Sequence, residues 1–220
     1  MRRIIEYTGD GSATLFVPEL NEHYHSVKGA RTESRHVFID MGLKYVRTAQ
    51  PRVLEIGFGT GLNAFLSLLE ARETGKKAHY TGLELYPLEW DTLIELKYSD
   101  DPLFQQIHAA GWEVETEISP YFTLLKKKAD FTEIRKENND NYRYDVVYFD
   151  AFAPGKQPEM WEQQGFDYLY AAMNNGGVLT TYCAKGAVRR ALQEAGFVVE
   201  RLPGPPGGKR EIIRAIKKTI

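Results

Sequence analysis

The stretch Val146 to Trp161 reads VVYFDAFAPGKQPEMW, an apolar run that drives into one aspartate, Asp150, and then into Phe-Ala-Pro-Gly-Lys. A carboxylate at the end of a buried run is costly unless it is partnered or used. Its plain structural role would be to cap the next turn. The proline that follows rigidifies a loop, which is what a residue at a reaction site requires. A second chemistry-bearing stretch is EIGFGTGLN, in which Gly57, Gly59 and Gly61 follow a short apolar run. Glycines there let a backbone approach a ligand closely. The spacing is G-x-G-x-G, not the G-x-G-x-x-G that cradles a pyrophosphate.

Two further acids close apolar runs. Glu84 ends GLEL about twenty residues beyond the glycines, where an acidic residue binds ribose hydroxyls. Asp130 closes KKKAD, where a carboxylate can accept from an exocyclic amine such as that of adenine. A lone G-x-G is equally the mark of a tight strand-to-helix turn. Glu55, Glu84 and Asp130, three acidic residues closing three successive strands, favour a ligand with a ribose and an adenine but no pyrophosphate, which points to S-adenosylmethionine.

These residues need elements to carry them. Strands are expected at 52–56, 78–85, 122–127, 145–149, 178–182, 197–201 and 211–216. Helices are expected at 60–72, 89–98, 102–110, 166–173 and 187–195, from apolar residues at helical spacing such as Leu62, Phe65, Leu66 and Leu69. Residues 174–177, Asn-Asn-Gly-Gly, read as a loop. Alternating strands and helices imply an α/β fold, a Rossmann-like open sheet with parallel pairing. The last two strands, joined by a Pro-Gly loop, are expected as an antiparallel pair. Residues 1–50 have another texture, with turn signals and a short β-prone run, and read as an irregular or hairpin extension, a probable substrate-side lid. The α/β domain is expected over 51–220.

Bulk properties narrow the classes. The chain has 220 residues, 43% hydrophobic and 26% charged, with a net charge of −2. A wholly basic surface is excluded, and only a local basic patch could hold a polyanion. One cysteine, Cys183, forbids a disulfide framework and a cysteine-rich zinc site. The N-terminal MRRIIEYTGDG lacks the apolar segment of a signal peptide, and no run approaches the roughly 18 apolar residues of a membrane span. A cytoplasmic protein is expected.

Taken together, EIGFGTGLN, GLELYPL, YFDAFAPGKQPEMW, TYCAKGAVRRALQEAGF and PGPPGGKRE resemble one group of enzymes, the MnmC-type methyltransferase domain in its stand-alone MnmD form. The combination of FDAFAPGKQPEMW with GKRE is the specific part. The resemblance implies a class I S-adenosylmethionine-dependent methyltransferase. It would methylate the amine of a 5-aminomethyl-(2-thio)uridine at the wobble position of transfer RNA, giving the 5-methylaminomethyl nucleoside. By position, Glu55 and the loop of Gly57, Phe58, Gly59, Gly61 and Asn63 would hold the methionine part. Glu84 and Leu85 would hold the ribose, with Tyr86 beside the adenine, and Asp130 and Phe131 would flank the base. Asp150 would stand at the methyl-transfer site. The longer relatives carry a flavin oxidase domain; here neither flavin nor a metal is expected.

For an amine acceptor, a carboxylate with an ordinary pKa near ~3.9 is a poor base. Asp150 is therefore expected to position the amine and stabilise the developing ammonium, with proton acceptance secondary. Transfer RNA requires a concentrated basic face, for which Lys156, Lys185, Arg189, Lys209 and Arg210 are the candidates, with Arg190 and Arg214 near them. Trp161, Tyr24 and Phe152 could stack a flipped base, although Trp161 could equally pin the loop. The run Lys126 to Lys128 reads as solvated. His23 and His25 lack a convincing third metal ligand. Cys183 reads as a packed thiol, since methyl transfer to an amine needs no covalent adduct. Glu33 and Arg35 read either as closing the N-terminal segment or as surface. Two other readings stay open: an aminopropyltransferase on a similar fold, and a catalytically silent RNA-binding module.

Overall fold

The computed structural model describes residues 2–135 and 143–218. Its centre is an eight-stranded sheet. The five parallel strands are β4 (Arg52–Ile56), β5 (Ala78–Glu84), β7 (Phe122–Lys128), β8 (Tyr144–Phe149) and β9 (Met173–Thr181). With β6 (Glu115–Ser119), β10 (Val198–Pro203) and β11 (Glu211–Ile216), the order is β10-β11-β9-β8-β4-β5-β7-β6. The last two strands pair antiparallel, as expected. Strands buried on both faces read as continuous apolar runs, and β8, YDVVYF, is buried at five of its six positions.

Helices cover both faces. One side carries α2 (Leu62–Thr74), α3 (Trp90–Glu95), α4 (Pro102–Ala109) and, from the N-terminal part, α1 (Ala30–Ser34) continuing as a π-helical segment, Arg35–Leu43. The other carries α5 (Phe131–Ile134), α6 (Gln163–Ala172) and α7 (Gly186–Glu194). Two apolar cores result, one on each face of the sheet.

The chain runs outward from β4 through β5 to β7, then returns to place β8 and β9 on the opposite side of β4. The switch point is thus between β4 and β8, and in open α/β sheets ligands bind in the crevice beyond the carboxyl ends of strands there. The glycine loop follows β4 and Asp150 follows β8, so the topology delivers both to that crevice.

Four details differ from the sequence expectations. The N-terminal part is more regular than a hairpin: β1 (Ile4–Tyr7), β2 (Ala13–Val17) and β3 (Glu22–His23) form a three-stranded antiparallel sheet, and the helix of residues 30–43 packs behind β8 and β9. The helix expected at 166–173 starts earlier and ends at Ala172, and residues 174–177 lie within β9 as a register irregularity beside Tyr144 and Val146. The edge strand β6, ETEIS, carries no apolar run and was not expected. Lys126 is only 2% exposed: its side chain shares the inward face of β7 with Phe122 and Leu124, and its ammonium donates to the His108 carbonyl oxygen at 2.8 Å.

Candidate functional site

A cavity of about 270 Å³ opens at the carboxyl ends of β4, β5, β7 and β8. Its floor is the glycine loop. The amides of Gly57 and Phe58 both donate to the Leu83 carbonyl, and the Asp150 amide donates to the Ile56 carbonyl at 3.0 Å, so three strand ends are stitched together. Gly57 has φ of 91°, and a Cβ there would lie 2.7 Å from the Asp150 carbonyl oxygen. No side chain fits between the loop and the strand that brings Asp150, which is the reason for glycine at this position.

Glu84 faces the cavity with each carboxylate oxygen held by one backbone amide, Oε2 from Gly59 at 2.9 Å and Oε1 from Tyr86 at 2.8 Å. Both oxygens keep lone pairs that can accept hydroxyl hydrogens. Asp130 also lines the cavity; its Oδ1 caps α5 through the Thr132 amide and hydroxyl, at 2.8 and 2.7 Å. Leu85, Tyr86 and Phe131 border the same space.

Asp150 and Glu55 meet through one amide. The Asn63 side-chain nitrogen donates to Glu55 Oε1 at 2.8 Å and to Asp150 Oδ2 at 2.9 Å, and Tyr80 donates its hydroxyl to Glu55 Oε2 at 2.7 Å. Glu55 is fully buried and does not reach the cavity. Burial holds its pKa well above the ordinary carboxylate range. Asp150 is half-buried at the cavity wall, and its pKa is pushed up to about 7, by burial first and by the Glu33 charge second. The Asn63 hydrogen bond and the Lys209 charge act against that rise. The ordinary pKa assumed from sequence therefore does not apply: near neutral pH this carboxylate can take or give a proton. Asn63 Oδ1 is buried with no hydrogen-bond partner among the described residues.

The opposite wall comes from the N-terminal part. Tyr24 packs edge-on against Phe152, centroids 5.2 Å apart, and Arg3 ties the wall down through the Tyr24 hydroxyl and the Tyr86 carbonyl, both at 3.2 Å. His25 is half-buried, and desolvation lowers its pKa to about 4, so it is neutral near pH 7. Among the described residues no group of three or more His, Cys, Asp or Glu is arranged to hold a metal ion. Cys183 is a buried free thiol.

The basic residues divide. Lys156, Lys185 and Arg210 are exposed on loops and element starts at the rim where the parallel strands end, and Arg189 follows on α7 with its Nε buried and without a partner. Lys209 instead lines the cavity, ion-paired with Glu33 and 4.4 Å above the Tyr182 ring. Arg214 is engaged elsewhere, by Glu200 and the Tyr45 ring. Trp161 is buried against Phe149 and Tyr182, its indole N–H on the Phe152 carbonyl at 2.8 Å. Of its two expected roles, that geometry is the pin. The sequence reading passed over Ser26 and Tyr182, and it did not pair Glu33 with Lys209. The two lie 176 residues apart, and no local pattern announces that contact.

Comparisons with known proteins point the same way. The profile of a family described as S-adenosyl-L-methionine-dependent methyltransferase matches residues 110–218. The chain is 30% identical over 216 residues to the tRNA 5-methylaminomethyl-2-thiouridine biosynthesis bifunctional protein MnmC of Pseudomonas entomophila, covering 90% of this chain and 33% of that protein. It is 32% identical over 207 residues to the protein of the same name from Chromobacterium violaceum, covering 86% of this chain and 31% of that one. The chain thus spans about a third of the length of these relatives. The crystal structure of MNMC2 from Aquifex aeolicus superposes with a TM-score of 0.84 at 25% identity, covering all of this chain and 73% of that one. Spermidine synthase from Thermotoga maritima, at 14% identity and a TM-score of 0.59, shares the fold, with 98% of this chain and 72% of that one covered.

Proposed function

We propose a function from the premise that this chain belongs to the S-adenosyl-L-methionine-dependent methyltransferase family. It methylates the primary amine of a 5-aminomethyl-(2-thio)uridine at the wobble position of transfer RNA, in the cytoplasm. One observation carries this reading: the glycine loop, Glu84 and Asp150 converge on a single cavity at the switch point of the sheet. The residues fit the donor. Glu84 has free lone pairs for ribose hydroxyls, Asn63 Oδ1 wants a hydrogen-bond donor such as an amino-acid ammonium, and Asp130, Phe131 and Tyr86 border the space for a base. Gly57 and Gly59 keep the floor low, Gly61 lies outside the cavity where a Cβ would meet His108, and Glu55 acts from below by fixing Asn63.

When bound, S-adenosylmethionine supplies an electrophilic methyl on a cationic sulfonium. The acceptor amine must arrive with a lone pair. With a lysine-like pKa near ~10, about one amine in a thousand is neutral at pH 7, a cost of about 4 kcal/mol. Burial in the cavity lowers the amine's pKa just as it raises that of Asp150 to about 7, so the two converge. Asp150 then both orients the amine and accepts its proton. Tyr24 and Phe152 exclude water from the acceptor side, and Trp161 fixes the loop that carries Phe152. Lys156, Lys185, Arg189 and Arg210 at the rim take RNA phosphates. The N-terminal residues 1–50 serve as the substrate-side wall of the domain formed by 51–220.

The test is methyl transfer to transfer RNA carrying 5-aminomethyl-2-thiouridine, with nucleosides resolved by mass spectrometry. Gain of one methyl on that nucleoside is expected. A second arm offers putrescine with decarboxylated S-adenosylmethionine, because the shared fold and the acidic acceptor wall also suit a polyamine. Aminopropyl transfer there, with no methylated nucleoside, would overturn the proposal.

A further inference from the structure

The pairing of Glu33 with Lys209 is asymmetric. Glu33 lies on α1 with its side chain 9% exposed, and its second oxygen is held by the Ser26 amide at 3.0 Å. Lys209 is 39% exposed at the end of the Pro-Gly loop between β10 and β11. The base of that loop is tied independently, by the Gly204 amide on the Arg210 carbonyl at 3.0 Å and by His36 on the Pro203 carbonyl at 2.9 Å. The carboxylate is fixed and the ammonium sits on a flexible four-carbon stem. A fixed, buried anion with an exchangeable cation is a cation-binding site.

The surroundings support that description. The Lys209 ammonium stands 4.4 Å from the centroid of Tyr182, whose hydroxyl donates to the Ala151 carbonyl at 2.8 Å, next to Asp150. One carboxylate oxygen and one aromatic face form an ammonium cage. All four side chains, Glu33, Tyr182, Asp150 and Lys209, line the same cavity. Once Lys209 leaves, Glu33 keeps the Ser26 amide but has no counter-charge, which favours another cation in its place.

We propose that Glu33 is a specificity-determining carboxylate for the acceptor's ammonium, and that Lys209 is a resident stand-in which the incoming amine displaces. Lys209 swings out by rotamer change alone, towards the rim where the polyanion lies. The latch thereby couples arrival of the amine to release of one lysine onto the RNA side. This rests on the reading of the acceptor as an amine.

The experiment compares binding of two short anticodon stem-loop RNAs, one with 5-aminomethyluridine and one with 5-hydroxymethyluridine at the wobble position. Calorimetry is run on the wild type, Glu33→Gln and Lys209→Gln, and kcat and KM are measured on the amine substrate. The wild type is expected to prefer the amine at least tenfold. Glu33→Gln should lose that preference through KM, with the hydroxyl RNA bound as before. Lys209→Gln should bind the amine RNA equally well or up to severalfold tighter. An undiminished preference in Glu33→Gln overturns the proposal while leaving the amine reading intact. Weaker binding of both RNAs by Lys209→Gln, with a shallower salt dependence, overturns it in favour of a phosphate contact. No preference in the wild type refutes the amine reading itself and the proposal with it. Lys209 is on an exposed loop, so its variant remains informative even if Glu33→Gln fails to fold.

Discussion

Asp150→Asn should stabilise the free protein while removing its activity, and the stabilisation should depend on pH in one direction. In the folded chain the Asp150 pKa is raised from 3.8 to about 7. A raised carboxylate pKa means that the folded state binds the proton more tightly than the unfolded state. No stability is lost below about pH 4, where both states are protonated. The loss grows through the window from about pH 4 to pH 7 and is complete above it. Three pKa units correspond to about 4 kcal/mol as a ceiling. Asp150 borders an open cavity and is only half-buried, so solvent screening reduces this to about 1–3 kcal/mol. Asparagine has no charge to desolvate, and its Oδ1 can still accept from Asn63.

Urea or thermal unfolding of both proteins, at about pH 4 and about pH 8, gives the difference directly, because all other titrating groups are common to the pair. The variant should gain little at the low pH and about 1–3 kcal/mol at the high pH. For a chain of this size that is about 2–4 °C in Tm per kcal/mol. A difference that is flat with pH, or that shrinks as pH rises, would falsify the claim that burial raises the Asp150 pKa. The activity arm is separate: methyl transfer by Asp150→Asn should fall by orders of magnitude.

Other outcomes follow from the same geometry. Glu84→Ala should weaken S-adenosylmethionine binding at least tenfold by calorimetry, and Asp150→Ala by no more than about threefold; the reverse order would exchange their roles. Trp161→Phe keeps a ring in the Phe149 and Tyr182 cluster but loses the bond to the Phe152 carbonyl, worth about 0.5–1.5 kcal/mol. Its kcat should drop severalfold with transfer RNA affinity within about twofold, whereas a selective loss of affinity would mean that the indole stacks a base. Glu55→Gln should retain urea stability at pH 7 within about 1 kcal/mol, since burial already disfavours the charged form of the carboxyl there. Glu55→Ala should lose about 2–4 kcal/mol by stranding Asn63 and Tyr80 over a hole, and equal damage from the two variants would show that the charge matters.

The wall of the cavity built from the ends of the parallel strands was legible in the sequence because its signals are local. Each parallel strand is a short buried run, and the residue that ends it, a glycine at 57 or an acid at 84, 130 or 150, is the residue presented to the crevice. The wall opposite was not legible, because it is assembled from Ser26, Glu33, Tyr182 and Lys209, brought together from distant parts of the chain. Lys126 falls between these cases. Its position two and four residues after Leu124 and Phe122 places it on the inward face of β7, and strand periodicity would have found it. The KKK triplet hid this by reading as a charge run. The cost of that burial is visible in its pKa, lowered to about 8 by desolvation.

The three carboxylates around Asn63 and the glycine loop are sorted by what surrounds them. Glu84 has a backbone amide on each oxygen, a fixed arrangement that suits steady recognition of hydroxyls. Glu55 is deepest, where burial disfavours its charge, and serves as a post for the Asn63 amide. Asp150 lies between them, with one amide hydrogen bond and a cavity in front. Burial makes its anion costly in the free protein, and for the same reason a cation entering the cavity gains more from it than it would from a solvated carboxylate. Binding of an ammonium must then lower the Asp150 pKa by the amount that Asp150 ionisation tightens binding, since the coupling is reciprocal. The desolvation that weakens the fold above pH 7 is therefore the same property that would favour a positively charged group in the cavity.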